Sequence, residues 1–274
     1  TPTLSSAASD VYKRQGTRLG FNPTIKIKMN ESTTLDLSYE YADHERYIDR
    51  GIPTENGEPV ERFEKITFGG DDNLTTLKAN ILRATLSKVF SDTRKGNLSI
   101  VSSDFEKMYK NYYASGYTAG ATVVTMDGYL DPTERENTII SGNIVNEVGN
   151  HTLLVGVELI DTTNENFRYN TFWSTTSDDN EVFNITRPMD FSVNSAGVAT
   201  SNDYTADLKS KTKSDIDVTS FFIQDQIDVS DKLKLMIGGR HDSFDITVTD
   251  VKAGSAAARK DTKFSPRAGV IFKP

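Results

Sequence analysis

Residues 222–242 read FIQDQIDVSDKLKLMIGGRHD, and this stretch decides the fold. Its second half places Leu233, Leu235 and Ile237 on one face and mostly polar or small residues on the other. A period of two is typical of a β-strand with one apolar and one polar side. The first half alternates in the same way, and Ser230-Asp231 separates the two halves. The stretch therefore predicts two antiparallel strands joined by a tight turn.

The same alternation recurs through most of the chain, and it predicts an all-β protein. The connections are short near residues 30–32, 91–93, 147–150 and 230–231, and long at 48–73, 172–214 and 251–262, with a weak member at 114–116. Transmembrane barrels show such an order because periplasmic hairpins are tight and extracellular loops are long. The pattern therefore predicts an antiparallel up-and-down transmembrane β-barrel, with residues 117–147 interrupted near Asp131-Pro132.

Composition narrows the function classes. Only 36% of residues are hydrophobic, and no apolar run approaches the roughly 18 to 20 residues of a membrane-spanning helix. The net charge of −8 argues against nucleic acid as a partner, because phosphate backbones need clustered cations. There are no cysteines, which excludes disulfides and thiolate chemistry. An ordinary acidic soluble surface remains open as an alternative.

The first fifteen residues fit no strand that follows. A Ser- and Ala-rich run precedes Val11-Tyr12-Lys13-Arg14-Gln15, and no signal peptide is present. We therefore expect residues 1–15 to be a non-native leader and residues 16–274 to be one partial barrel domain.

The connection 172–214 is the candidate for ligand contact, since loops of this length are usually functional or disordered. The candidate ligand-binding residues in it and just before it are Tyr169, Phe172, Trp173, Arg187, Phe191 and Tyr204. Aromatic rings and guanidinium groups suit a planar, anionic metal chelate through stacking and charge-assisted hydrogen bonds. The alternative is that these aromatic residues pack the loop or belong to an interfacial girdle.

Two further features bear on the barrel. Tyr109, Tyr112, Tyr113 and Tyr117 cluster at a strand end, where an aromatic girdle is expected, and stacking on a ligand is the alternative. Asp225 shares the parity of apolar neighbours, which would point a carboxylate at lipid. It is tolerable near the membrane interface, and a bulge that reverses the parity is the alternative.

No motif predicts catalysis or a metal site. His44, His151 and His241 lie far apart, and no nucleophile motif or pair of catalytic carboxylates is recognisable. The loop aspartates do not follow the spacing of an EF-hand. We therefore expect no catalytic residues, no bound metal and no enzyme activity.

Three motifs follow one another in the second half of the chain. Phe222-Ile223-Gln224-Asp225-Gln226-Ile227 and Lys232-Leu233-Lys234-Leu235 lead into Gly238-Gly239-Arg240-His241-Asp242, and Phe264-Ser265-Pro266-Arg267-Ala268-Gly269 follows. Their order and spacing resemble the TonB-dependent siderophore receptor family. Residues 150–158 and 49–53 extend the resemblance to about residues 18–274. His241 stands where that family usually has tyrosine.

The resemblance implies a 22-stranded barrel around an N-terminal plug in the outer membrane of a Gram-negative bacterium. About nine of those strands are expected here, without the plug, so the chain is interpreted as a fragment. The implied function is uptake of ferric siderophores with energy from the TonB complex, which would act through the plug. The transported siderophore is the only ligand expected, without a tightly bound cofactor, and membrane lipid and lipopolysaccharide are further partners.

Within that picture the candidate lumen-facing residues are Glu158, Arg240 and Asp242, which could equally form structural ion pairs. A receptor for a corrinoid, haem or glycan is the nearest alternative. A barrel enzyme and a soluble β-sandwich adhesin are more distant ones.

Overall fold

The alternating stretches form long antiparallel strands in the computed structural model, which describes residues 16–71 and 73–273. The strands are β1 (Gly16–Phe21), β2 (Thr24–Asn30), β3 (Thr33–Tyr47), β4 (Thr54–Glu55), β5 (Glu58–Pro59), β6 (Leu74–Ser91), β7 (Arg94–Gly116), β8 (Val123–Val148), β9 (His151–Asn170), β10 (Glu181–Asn184), β11 (Asp207–Ser230), β12 (Leu233–Asp250) and β13 (Ser255–Phe272). A 3₁₀ turn spans Glu61–Phe63. No helix in the described part of the chain is long and apolar enough to cross a membrane. The expected leader, residues 1–15, lies outside the described residues.

The long strands follow one another through one sheet in the order β1-β3-β6-β7-β8-β9-β11-β12-β13. β1 and β2 pair with opposite halves of β3, so they form one edge strand that is interrupted at Asn22-Pro23. Proline has no N–H for the ladder and is tolerated at such an edge. With β1 and β2 counted together, the described part of the chain has nine long strands, which confirms the antiparallel up-and-down architecture.

The connections at the two ends of the strands differ in length. At one end of the strands, two-residue connections join β2 to β3, β6 to β7, β8 to β9 and β11 to β12. We name this end of the sheet the turn end. At the opposite end of the strands, which we name the loop end, the connections are residues 48–73, 117–122, 171–206 and 251–254. The alternation of short and long connections is confirmed.

The extents of three predicted loops are wrong. β7 includes residues 114–116, and the connection that follows it is 117–122. β11 begins at Asp207 and β13 begins at Ser255, so polar residues that were assigned to loops continue the ladder. Backbone pairing does not require apolar side chains, and hydropathy therefore underestimates strands that extend beyond the apolar zone.

Each long strand has an apolar and a polar face. Ile100, Ile140 and Leu159 are cross-strand neighbours on the apolar face, and they are 44%, 37% and 43% exposed. On the polar face Ser103 accepts a hydrogen bond from Asn137 at 3.0 Å. An apolar wall that no protein covers over several strands is what contact with lipid requires, and soluble monomers rarely expose one.

The stretch that was expected to break at Asp131-Pro132 is one strand, β8. Its pairing with β7 is continuous there, whereas its pairing with β9 skips both residues between Leu130 and Thr133. Because proline lacks a donor, one of the two ladders is interrupted. The predicted interruption is therefore correct for one neighbouring strand only.

Asp225 lies on the apolar face. Apart from irregularities near Leu208 and after Asp228, the register of β11 is regular, so no bulge reverses the parity before Asp225. Its Oδ2 lies 2.6 Å from Nδ1 of His151, which is the first residue of β9. The regular register excludes the bulge, and the interface explanation stays a prediction that agrees with the position of Asp225 near the turn end.

The long connections fold into a core at the loop end. The loop core consists of Phe63, Phe68, Tyr112, Val124, Met126, Trp173, Phe183 and Tyr204. The ring of Tyr112 stacks on Trp173 at 5.3 Å and on Tyr204 at 5.5 Å between centroids. Asn73 accepts a 2.8 Å hydrogen bond from the backbone N of Tyr112 and donates one to its carbonyl at 3.0 Å. Tyr112 thus fastens both long loops to β7.

Candidate functional site

A tyrosine–arginine cluster lies on the polar face at the loop end. It consists of Arg50, Tyr109, Tyr129, Asp131 and Arg168. Tyr109 pairs with Asp131 across β7 and β8, and the ring of Tyr109 stacks on Tyr129 at 5.7 Å between centroids. The guanidinium of Arg168 lies 3.4 Å from the centroid of Tyr129, and its Nη1 is 2.8 Å from Oδ2 of Asp131. Three neighbouring strands therefore supply one stacked, charged assembly.

The fifth member of the cluster comes from a loop. Arg50, in the connection after β3, donates from Nη1 to the hydroxyl of Tyr129 at 2.9 Å and to Oδ1 of Asn111 at 3.3 Å. Its guanidinium also lies 4.8 Å from the ring centroid of Tyr113. Tyr129 is thus held between two guanidinium groups, an arrangement that cation–π attraction stabilises by roughly 0.5–2 kcal/mol per pair.

A groove opens over this cluster. Its lining includes Lys107, Tyr109, Tyr129, Asp131, Arg168 and Thr212, from β7, β8, β9 and β11. Oδ2 of Asp131 is paired with Arg168, and its Oδ1 is buried, so the carboxylate positions Arg168 beneath the groove. Cationic side chains and tyrosine rings together suit an aromatic or anionic small molecule.

None of the six ligand residues proposed from the sequence belongs to the tyrosine–arginine cluster. Trp173 and Tyr204 are 1% and 7% exposed in the loop core. Phe191 packs on Tyr112 and Phe183. Tyr169 has the opposite parity to Arg168 and stacks on Phe167 at 6.4 Å.

The two remaining candidates lie on the surface of the long connection. The backbone N of Phe172 donates to Oδ1 of Asn202 at 2.7 Å, and the side chain of Phe172 is half-buried. Arg187 is exposed. The packing role is therefore visible for Trp173, Tyr204 and Phe191, and ligand contact stays a prediction for all six residues.

Sequence reasoning missed Arg50, Tyr129 and Asp131 as site residues. The signal for Tyr129 and Asp131 is their shared parity, but it becomes readable only when the register of β8 against β7 is known. The position of Tyr109 and Tyr113 at a strand end was misleading, because it predicted an aromatic girdle. Both face the polar side with Asn111, so the girdle prediction is wrong for them.

A second polar network joins Glu158, Ser220, Arg240 and Asp242 on the polar face. Arg240 donates from Nη2 to Oε1 of Glu158 at 2.6 Å and to Oγ of Ser220 at 2.8 Å. Its Nε lies 2.6 Å from Oδ1 of Asp242, to which Ser220 also donates at 2.6 Å. One guanidinium therefore neutralises carboxylates from β9 and β12, and this ties three strands together.

Among the described residues, no group of three or more His, Asp or Glu side chains is placed to hold a metal ion. The loop carboxylates instead bind the loop itself. Asp190 accepts from the hydroxyl of Ser192 at 2.6 Å, and Asp203 accepts from that of Thr205 at 2.7 Å. These hydrogen bonds hold the pKa of each carboxyl below its ordinary range.

Comparison with solved structures shows the same fold in bacterial receptors. The siderophore receptor PiuA from Acinetobacter baumannii is 16% identical, with a TM-score of 0.68 over 94% of this chain and 40% of its own. The ferripyoverdine receptor of the Pseudomonas aeruginosa outer membrane is 15% identical, with a TM-score of 0.73 over 96% of this chain and 34% of its own. The ferric-catecholate import receptor Fiu from E. coli K12 is 14% identical, with a TM-score of 0.65 over 94% of this chain and 43% of its own.

The chain thus spans less than half the length of each of these structures. No curated protein matches it in sequence. A family model described as "TonB dependent receptor-like, beta-barrel" matches residues 20–274. The family and the matched structures are receptors and transporters rather than enzymes. Together with the nine antiparallel strands and the exposed apolar wall, this match shows that the chain belongs to the TonB-dependent receptor β-barrel family.

Proposed function

We propose that this chain forms part of a receptor that takes up ferric siderophores across the outer membrane of a Gram-negative bacterium, with energy from the TonB complex. The observation that carries the proposal is the position of Tyr129 between Arg50 and Arg168, on the polar face at the loop end. In a closed barrel the polar face lines the lumen and the loop end faces the medium. The cluster then lies where a ligand enters.

The chemistry of the cluster fits a ferric siderophore. Such chelates carry anionic oxygens around the metal, and many carry aromatic rings. Arg50 and Arg168 supply charge-assisted donors, Tyr109 and Tyr129 supply stacking surfaces, and Asp131 holds Arg168 in position. The iron is cargo inside the chelate, so the protein needs no metal ligands of its own.

The long connection 171–206 has a supporting role in the proposal. Trp173 and Tyr204 set its shape from inside the loop core. Phe172 and Arg187 present surface from which the loop could capture a ligand before it reaches the cluster. Deeper in the lumen, the network around Arg240 would offer polar side chains along the route of transport.

The proposed location in the outer membrane rests on the apolar and polar faces of the sheet. The apolar face would contact lipid, the turn end would lie in the periplasm, and the loop end would meet lipopolysaccharide. The His151–Asp225 pair fits this orientation, because it places the carboxylate of Asp225 near an interface.

The proposal is tested by ligand binding to the intact gene product that carries this chain, purified in detergent. A panel of catecholate, hydroxamate and carboxylate ferric siderophores is titrated against the wild type and against Arg168→Gln. Loss of a charged hydrogen bond costs about 1.5–3 kcal/mol, so we expect binding to weaken roughly ten- to hundredfold. The control is Arg135→Gln. Arg135 lies on the polar face of β8, as Tyr129 and Asp131 do, but it contacts Asn164 outside the cluster.

Binding of one siderophore class that Arg168→Gln weakens and Arg135→Gln spares would support the proposal. If both variants bound the siderophore with the same affinity, the cluster would not be the binding site. Selective binding of a corrinoid, haem or glycan would transfer the assignment to that nutrient.

A further inference from the structure

The apolar face carries a groove near the turn end. Two neighbouring cross-strand rows form it. The row nearer the turns is Lys88, Gly96, Ile144, Val155 and Ile223, and the next row is Leu86, Leu98, Gly142, Val157 and Phe221. We call these residues the two-row groove. Its lining is almost wholly apolar apart from the amine of Lys88.

Glycines at two positions create the depression. A Cβ added at Gly142 would lie 3.8 Å from Leu98 and 3.9 Å from Val157, so the space above this glycine is open to a guest. At the turn end of the groove, the ring of Phe90 covers Gly96, where an added Cβ would lie 3.1 Å from Phe90 Cε2. The groove is thus closed by an aromatic ring at one end and open along its middle.

Two cations stand at the closed end. Nζ of Lys88 lies 5.6 Å from the centroid of Phe90. Arg94 follows on the same face two residues before Gly96, and its Nε donates to Oδ1 of Asn146 at 3.0 Å. Within the part of the chain that the structure describes, neither cation forms an ion pair with a carboxylate.

Lys88 and Arg94 differ in this respect from Lys260 on the same face. Lys260, at the loop end of the same face, has Nζ only 2.5 Å from Oδ2 of Asp245. A cation beside an apolar surface gains most from an anion that carries apolar chains of its own. The pairing of Lys88 and Arg94 with an apolar groove therefore selects an amphiphilic anion.

We propose that the two-row groove binds one glycerophospholipid, with its phosphate at Lys88 and Arg94 and one acyl chain along the rows towards Phe221. The proposal rests on the membrane orientation given under the proposed function, in which the turn end lies in the periplasmic leaflet. Phosphate oxygens accept charge-assisted hydrogen bonds from both side chains. Phe90 lies at the level of the headgroup, where aromatic residues are enriched.

The length of the groove is comparable to the thickness of one leaflet. Four strand spacings of roughly 4.8 Å give a length of about 19 Å, and one leaflet accounts for about half of the roughly 30 Å hydrocarbon core. Lys88 lies three residues before the end of β6, whereas Phe221 lies nine residues before the end of β11. The rows therefore run from the interface towards the middle of the bilayer, as an acyl chain does.

The test uses the intact gene product that carries this chain, purified in detergent and mixed with equal amounts of phosphatidylglycerol and lipid A. Native mass spectrometry counts the lipids that stay bound. We expect one retained phosphatidylglycerol in the wild type, and at least tenfold weaker retention in the double variant Lys88→Gln/Arg94→Gln. Gly142→Leu fills the groove and should have the same effect.

Two variants serve as controls. Lys260→Gln removes a cation of the same face outside the groove and should retain the lipid, and Lys88→Arg keeps the charge and should also retain it. Heat-modifiable migration in gels shows that each barrel is folded, and if Gly142→Leu does not fold, the comparison of Lys88→Gln with Lys88→Arg decides.

Equal lipid counts in all variants would overturn the proposal, as would retention of lipid A in place of phosphatidylglycerol. Lack of siderophore binding by the wild type would overturn the proposed function alone, because the lipid count does not depend on transport.

Discussion

The ring of Phe222 occupies the space that a side chain at Gly156 would need. The two residues are direct partners across β11 and β9, and a Cβ added at Gly156 would lie well inside van der Waals contact with Cζ of Phe222. The aromatic residue thus covers a glycine on the polar face of the sheet, a device that fixes the register between two strands.

Gly156→Ala is expected to destabilise the barrel by about 1–3 kcal/mol, because the ring must leave its position against the strand. The measurement is the urea midpoint of the intact gene product in lipid vesicles. Gly142→Ala is the matched control, since its Cβ would meet nothing closer than 3.8 Å. Equal midpoints for the two variants would show that the contact does not set the stability.

The His151–Asp225 pair predicts an asymmetry between single and double variants. Oδ1 of Asp225 is buried without a hydrogen-bond partner among the described residues, and its Oδ2 contacts Nδ1 of His151. His151→Leu should cost roughly 2–4 kcal/mol, because it leaves a carboxylate on the lipid side without its partner. The double variant His151→Leu/Asp225→Leu should recover most of that loss. A double variant that is less stable than the single one would contradict the lipid-facing assignment.

Arg240→Gln should destabilise the sheet more than the loss of an exposed ion pair does. The change leaves Glu158 and Asp242 without their shared cation, and the network is partly buried, with side chains 14–37% exposed. We expect a loss of about 1–3 kcal/mol. Arg83→Gln is the control, because its pair with Glu40 is about 40% exposed on both sides and contributes about 0–1 kcal/mol. Chemical unfolding of both variants in one lipid compares them directly.

Acid should loosen the loop core. The pKa of Asp190 and that of Asp203 are lowered by their hydroxyl partners Ser192 and Thr205. Groups with a lowered pKa stabilise the folded loop above the ordinary value of 3.8, and this stabilisation is lost as the pH falls through the lowered pKa. Burial raises the pKa of Asp179, so its protonation has the opposite sign. The loss from Asp190 and Asp203 is expected below about pH 3.8, and a variant that lacks both carboxyls separates it from the effect of Asp179.

The loop prediction is measured through Trp173, the single tryptophan of this chain. Its emission, taken as the difference from a Trp173→Phe variant, should shift to the red as the core opens. In Asp190→Asn/Asp203→Asn the acid dependence should be weaker, because the two titrating groups are gone. An unchanged emission down to pH 3 would show that these carboxyls do not hold the loop.

The fold was largely predictable because its signal is local. The alternation of Leu233, Leu235 and Ile237 and the turn at Ser230-Asp231 specify strand, face and hairpin without any distant contact. Strand ends were less predictable. β13 begins at Ser255 because its polar residues pair with β12 through the backbone, and hydropathy does not record backbone pairing.

The candidate site depends on register, which one sequence does not specify. Tyr109, Tyr129 and Arg168 come from three strands, and they meet only because the ladders place Asp131 opposite Tyr109. The aromatic residues of the long loop were conspicuous in the sequence for a different reason. Trp173 and Tyr204 are large apolar residues within a polar segment, and burial in the loop core accounts for that pattern.

The most direct test of the central claim is transport. The intact gene product is expressed in an iron-starved Gram-negative host that lacks its own receptors, and accumulation of radiolabelled ferric siderophores is followed with and without TonB. We predict accumulation of one siderophore class that requires TonB and falls in Arg168→Gln. Accumulation that is independent of TonB, or none of any siderophore by a correctly inserted barrel, would contradict the account.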